Sequence, residues 1–114
     1  MAIQNVIGGG ANAGLTATSI SAAGTTQATA TQLTASDSEV TTVASNSGVV
    51  LSSLIAPGEQ QSVFNAGLNA LKVYPPTGMN FNSLPANSAI TLATNTGVLL
   101  RCVSTARIFG VLSA

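Results

Sequence analysis

Six side chains in this chain carry a formal charge (Asp37, Glu39, Glu59, Lys72, Arg101 and Arg107), and there is no histidine. Asp37 and Glu39, in "ASDSEV", stand two apart. That spacing puts both on one face of a strand, and a carboxylate pair is the minimum equipment for glycosidase-type acid–base work. "DSE" with nearby asparagines also offers the oxygen ligands calcium takes, but no DxDxDG loop accompanies it. The plainer reading is a polar turn entering a strand, with the charges at its solvated end. Without histidine the commonest general base is missing. Ser–His–Asp and Cys–His arrangements cannot be built within one chain, and a single cysteine with no histidine rules out the usual zinc ligand sets. The sequence therefore predicts a protein that is not an enzyme and takes no metal or cofactor.

The remaining candidates are equally sparse. Cys102 sits among apolar residues in "LLRCVST" and reads as a buried, inert thiol, since a nucleophile needs an electropositive, accessible setting. Arg101 falls on the opposite strand face. Lys72, Arg101 and Arg107 read as isolated solvent or subunit contacts. Phe64, Phe81 and Phe109 are too few for a sugar-stacking platform and are expected mostly in the core. Tyr74, beside Pro75-Pro76, is expected at a surface or interface, because its hydroxyl tolerates water. "GGGANAG" lacks the Lys-Ser/Thr of a phosphate loop and the strand and helix that would flank one.

Composition bears on partners. Charged residues are 5% of the 114 and the net charge is zero, against roughly 25% charged in ordinary globular proteins. A neutral surface of Ser, Thr, Asn, Gln, Ala and Gly lacks the repulsion that keeps monomers apart, so an obligate oligomer or assembly component is expected. Nucleic acid needs clustered Lys and Arg, which are absent. No basic amphipathic helix is available for a membrane surface, and no apolar run approaches the ~20 residues of a spanning helix. The start, "MAIQNVIGGG", lacks the basic region and long apolar core of a signal peptide.

The elements that must position these residues read as β throughout. Residues 1–24 are expected to form an N-terminal arm. Its Gly8-Gly9-Gly10 favour neither helix nor strand, and Ile3, Val6 and Ile7 form an apolar patch able to dock on a neighbour; a plain unordered tail fits the same stretch. Residues 25–114 are expected to form one domain, rich in Thr and Val, with turn residues every 8–12 positions. "SEVTTVASNSGVVLSS" gives two strands hinged at "SNSG". "APGE" gives a turn at Pro57-Gly58. In "NALKVYPP", Leu71 and Val73 face the core until Pro75-Pro76 end the pairing. "SAITLAT", "GVLLRCVST" and "RIFGVLS" follow as strands. Hairpin-type loops are expected at Thr94–Gly97 and Ser104–Ala106. The expected fold is an all-β, antiparallel β-sandwich or jelly-roll-like subunit with a flexible arm.

The stretch from Asn65 to Pro75, "NAGLNALKVYP", continues through Gly78–Leu92 to Cys102-Val103-Ser104. It resembles a run found in small capsid decoration (cement) or head-fibre-like virion proteins of tailed bacteriophages. The resemblance covers roughly residues 25–112 and departs at Arg107-Ile108-Phe109, where an aromatic residue, often Trp, would be expected. It implies a homotrimeric subunit on the outer surface of the capsid. Such a subunit would bind the major capsid protein and stabilise the shell, with assembly in the host cytoplasm. A head-fibre or tail-tip module attaching to host-surface glycans is the alternative it leaves open.

Overall fold

The computed structural model describes residues 12–112. Among them are ten strands and no helix. In chain order these are β1 (Asn12–Ser21), β2 (Thr31–Gln32), β3 (Ala35–Thr42), β4 (Gly48–Val50), β5 (Gln60–Asn65), β6 (Leu71–Tyr74), β7 (Asn80–Phe81), β8 (Ile90–Leu92), β9 (Thr96–Cys102) and β10 (Arg107–Leu112). They form a six-stranded sheet in the order β1-β3-β5-β9-β10-β7 and a four-stranded sheet in the order β2-β4-β6-β8.

The winding departs from the antiparallel arrangement expected. β1, β3 and β5 lie parallel side by side, as do β2, β4 and β6. Each pass of the chain thus lays one strand in each sheet before returning one position further along, a solenoid-like course. The direction then reverses. β8 pairs antiparallel with β6, β9 with β5, and β10 with β9, while β7 lies parallel beside β10.

Turn chemistry alone does not tell a hairpin from an arch between sheets, and this accounts for the difference. "SNSG" links β3 of one sheet to β4 of the other. Asn46 takes a left-handed φ of 64°, and the Ser47 N–H and hydroxyl both donate to the Ala44 carbonyl, at 3.0 and 2.7 Å. Thr94–Gly97 likewise crosses between sheets, with Asn95 at φ 62°. Only Ser104–Ala106, between β9 and β10, closes a hairpin between sheet neighbours. At Pro57-Gly58 the turn forms as expected. Glu59 N–H donates to the Ala56 carbonyl at 2.9 Å, and Gly58, at φ 92°, fills the position a type II turn reserves for glycine.

Part of the stretch grouped with the arm belongs to the sheet, since Asn12–Ser21 pairs with β3 along much of its length. The Ile3, Val6 and Ile7 patch lies outside the described residues.

The inward residues of both sheets form one core. Val40, Val63, Val98, Leu100 and Ile108 come from the larger sheet, Val49, Leu71, Val73 and Leu92 from the smaller, with Phe81 of β7 among them. The "NAGLN" segment ties the sheets together at one end. Asn65 is fully buried. Its amide donates to the Asn69 carbonyl at 2.9 Å and the Leu92 carbonyl at 3.0 Å, and its oxygen accepts the Gly67 N–H at 2.9 Å. Asn69 donates to the Val43 carbonyl at 2.8 Å. Gly67 packs so close to Val43 that a β-carbon there would lie 2.6 Å from a Val43 methyl. Past the prolines, Asn87 accepts the Gly78 N–H at 2.6 Å and Asn82 accepts the Gly110 N–H at 3.0 Å. These asparagines satisfy backbone groups, as the turn-rich sequence predicts.

Candidate functional site

Strand alternation decides which side chains leave the core. On β5, Gln61, Val63 and Asn65 point inward and Gln60, Ser62 and Phe64 outward. β9 buries Val98, Leu100 and Cys102 and exposes Leu99 and Arg101. β10 buries Ile108 and exposes Arg107, Phe109 and Val111. β3 sends Asp37 and Glu39 to this same outer face.

Register arranges them in rows. Across the middle row Asp37 stands opposite Ser62, Ser62 opposite Leu99, and Leu99 opposite Val111. In the row above, Glu39 meets Phe64 and Phe64 meets Gly97. In the row below, Gln60 meets Arg101 and Arg101 meets Phe109. On this face the acids lie on β3, inside the edge strand β1, while Arg101 sits on β9 between Gln60 and Phe109 and Arg107 on β10; Phe64, Leu99, Val111 and Phe109 run diagonally from β5 to β10 beside them. Phe64, Leu99, Phe109 and Val111 are 40%, 47%, 57% and 65% exposed. Phe64 packs over Gly97, and a shallow depression beside it is lined by Ser62, Phe64, Leu99, Val111 and Leu112.

The carboxylates occupy the shared strand face expected of them, and no further Asp, Glu or Cys side chain groups with them among the described residues. Asp37 accepts the Ser62 hydroxyl at 2.5 Å, and no group of three His, Cys, Asp or Glu residues is placed to hold a metal among the described residues. Glu59 closes its own turn, its carboxylate accepting the Ala56 N–H at 2.9 Å. Lys72 is half-buried on β6, across from Thr91 and Gly48. Cys102 is buried and its thiol donates to the Ser104 carbonyl at 3.1 Å. Burial pushes its ionisation up, the Glu59 carboxylate adding to this and the Ser104 backbone opposing it.

Two expectations need correcting. Tyr74 is not at the surface: it is 8% exposed, covered by the segment after β1, and its hydroxyl donates to the Thr25 carbonyl at 3.2 Å. Of the phenylalanines only Phe81 is in the core, because strand parity turns Phe64 and Phe109 outward. Arg101 and Arg107 are both exposed on the outer face.

Reading by residue type missed the apolar part of this face. Its signal lies in "GVLLRCVS" and "RIFGVL", where apolar residues occupy consecutive positions. A strand with one wetted face alternates, whereas one covered on both faces reads as a near-continuous apolar run.

No helix among the described residues is long and apolar enough to cross a membrane. Comparison of the chain with protein-family models, with characterised proteins and with solved structures gives no match.

Proposed function

We propose that this chain is a structural virion protein, a capsid decoration or cement protein that binds the outside of the major capsid shell as a homotrimer and stabilises it. Two observations support the reading. The "NAGLNALKVYP" to "CVS" run resembles that group, and a nearly uncharged chain presents a broad, partly apolar sheet face beside which no catalytic constellation gathers. The observation that carries most weight is the exposed Phe64, Leu99, Phe109 and Val111 on one face, since large apolar side chains gathered on one face, beside polar and charged ones, mark interaction surfaces. In this reading the two sheets sharing one core are a sandwich-type subunit whose first passes are solenoid-like.

The function so proposed is mechanical. Binding free energy from each trimer adds to that of the shell it spans by mass action, and three modest contacts in one trimer act with avidity. Residues 1–11, which carry Ile3, Val6 and Ile7, extend the footprint on the shell. The glycan-binding alternative calls for exposed aromatic rings; Tyr74 is buried, and the exposed Phe64 and Phe109 stand on strands of the sheet face rather than at loop tips.

The test is to add the purified protein to capsid shells lacking it and to locate it by cryo-microscopy. Density on the outer surface at three-fold or quasi-three-fold positions, with delayed thermal opening of the shell, is expected. Absence of binding at saturating concentration refutes the reading. Removing residues 1–11 should lower occupancy on the shell while leaving the oligomer intact; full occupancy without them refutes the role given to that segment.

A further inference from the structure

The arrangement of charge on the outer face of the larger sheet carries more than exposure alone does. Six charged side chains serve the whole chain, and four of them, Asp37, Glu39, Arg101 and Arg107, stand on this one face. Their signs are separated. Both acids lie on β3 and both arginines on β9 and β10, with β5 between the two groups in the sheet order. If these charges served only solubility, scattering over the molecule would be expected; here the acids gather on β3 and the arginines toward one end of β9 and β10, on the face that also carries the exposed apolar residues.

We propose that this face is where copies of the chain meet, the acidic β3 side of one copy lying against the arginine end of β9 and β10 of the next, with Phe64, Leu99, Phe109 and Val111 covered by the contact. The occupant is a second copy because one chain carries both signs on this face, so the acids of one copy match the arginines of another. With the acids and arginines on different strands, one copy's β3 side can meet the next copy's β9–β10 end in a head-to-tail contact, which closes into a ring when the rotation per copy permits. Apolar side chains with polar and charged ones beside them are also the usual make-up of a protein interface. The Phe64 ring packs over Gly97, and the shallow depression beside it, lined by Ser62, Leu99, Val111 and Leu112, gives the face relief that can receive an apolar side chain of the neighbour. This inference deepens the homotrimer reading and rests on it for the number of copies; the choice of face comes from the sheet register.

The test uses the full chain in solution, away from any shell. Native mass is measured by sedimentation or light scattering for the wild type and for three variants. Asp37→Lys with Glu39→Lys should raise the concentration at which the oligomer dissociates at least tenfold, and raised salt should weaken the wild type in the same direction. Adding Arg101→Glu and Arg107→Glu to that variant should restore assembly, because the two groups then match with signs exchanged. Leu99→Lys should dissociate it without rescue. All five positions are at least partly exposed, and circular dichroism confirms that each monomer is folded. A trimer unmoved by both the charge reversal and Leu99→Lys overturns this inference and leaves the decoration reading standing. A trimer that responds as described but fails to bind shells supports the inference and overturns that reading. A wild type that stays monomeric at high concentration overturns both the inference and the homotrimer.

Discussion

Asn65 offers the sharpest test of how the two sheets are joined. Its side chain is fully buried and makes three hydrogen bonds, to the Asn69 carbonyl, the Leu92 carbonyl and the Gly67 N–H, all between 2.9 and 3.0 Å. Asn65→Ala removes all three. Asn69 is exposed, so its carbonyl can turn to water. The Gly67 N–H and the Leu92 carbonyl lose their side-chain partner in a dry setting, at about 1–3 kcal/mol each, and the vacated volume adds to this. A loss of about 3–5 kcal/mol is expected, a large part of the ~5–15 kcal/mol that holds a domain folded. In a domain of this size it lowers Tm by roughly 15–30 °C. Asn65→Asp separates hydrogen bonding from packing, since its volume is nearly unchanged. At neutral pH the carboxylate faces two carbonyl oxygens and has no proton to donate, so the variant should be at least as unstable as Asn65→Ala. Those contacts raise the aspartate's folded pKa above its unfolded value of ~3.9. The unfolded state then loses its proton first, so the variant's stability relative to wild type falls as pH rises through ~4 and recovers as pH drops. Urea unfolding followed by circular dichroism between pH 4 and 7 measures this. An alanine variant costing less than ~1 kcal/mol, or an aspartate variant with no pH dependence relative to wild type, refutes the assignment of Asn65 as the joint.

Three further outcomes are expected. Gly67→Ala places a β-carbon 2.6 Å from a Val43 methyl and 2.8 Å from the Val43 β-carbon and should cost about 1–3 kcal/mol by overpacking; Val43→Ala, which removes only the methyl contact, should recover a small part of that, and a Gly67→Ala variant as stable as the wild type in urea unfolding refutes the close contact. The Ser38 hydroxyl is buried with no hydrogen-bond partner among the described residues, so Ser38→Ala should stabilise the fold by about 1 kcal/mol in chemical denaturation, and a clear destabilisation would show that the hydroxyl is in fact bonded. Cys102 should resist alkylation until the chain unfolds; because its folded pKa is raised, its contribution to stability is complete below the unfolded thiol's ~8.5 and declines as pH rises above that value, and rapid labelling of the native protein at pH 8 contradicts its burial.

The sequence made strand positions legible and strand partners obscure. Val63, Leu71, Val73, Leu100 and Ile108 fall inward as alternation requires, and the breaks at Asn65-Gly67 and Pro75-Pro76 come where turn residues place them. Pairing depends on where each turn sends the chain, and "SNSG" contains the same residues whether it folds β4 back on β3 or carries it to the other sheet. Parallel neighbours such as β3 and β5 are joined through an intervening strand of the opposite sheet, a relation no local pattern encodes. The candidate site was legible in its charges and not in its apolar part. Arg101, Arg107, Asp37 and Glu39 stand out because they are rare. Phe64 and Phe109 look like core residues until strand parity and register show which way they face.

The two faces of the larger sheet depart from the ordinary assignment of residue types. Inside it lie Asn65, Gln61 and Ser38, all buried, while outside it stand Phe64, Leu99, Phe109 and Val111. Buried polar side chains require partners. Asn65 has them, whereas the Gln61 amide nitrogen and the Ser38 hydroxyl have none among the described residues. An inner face that carries such a cost is not arranged for maximal stability of the lone chain. The outer face is the counterpart: each exposed apolar side chain there forgoes about 25 cal/mol per Å² until something covers it. Both departures occur on one sheet, and covering its outer face recovers apolar burial where the inner face lacks it. If copies cover this face as proposed, denaturant midpoints of the wild type should rise with protein concentration. Leu99→Lys should abolish that rise, and a midpoint that still climbs with concentration refutes the proposed contact.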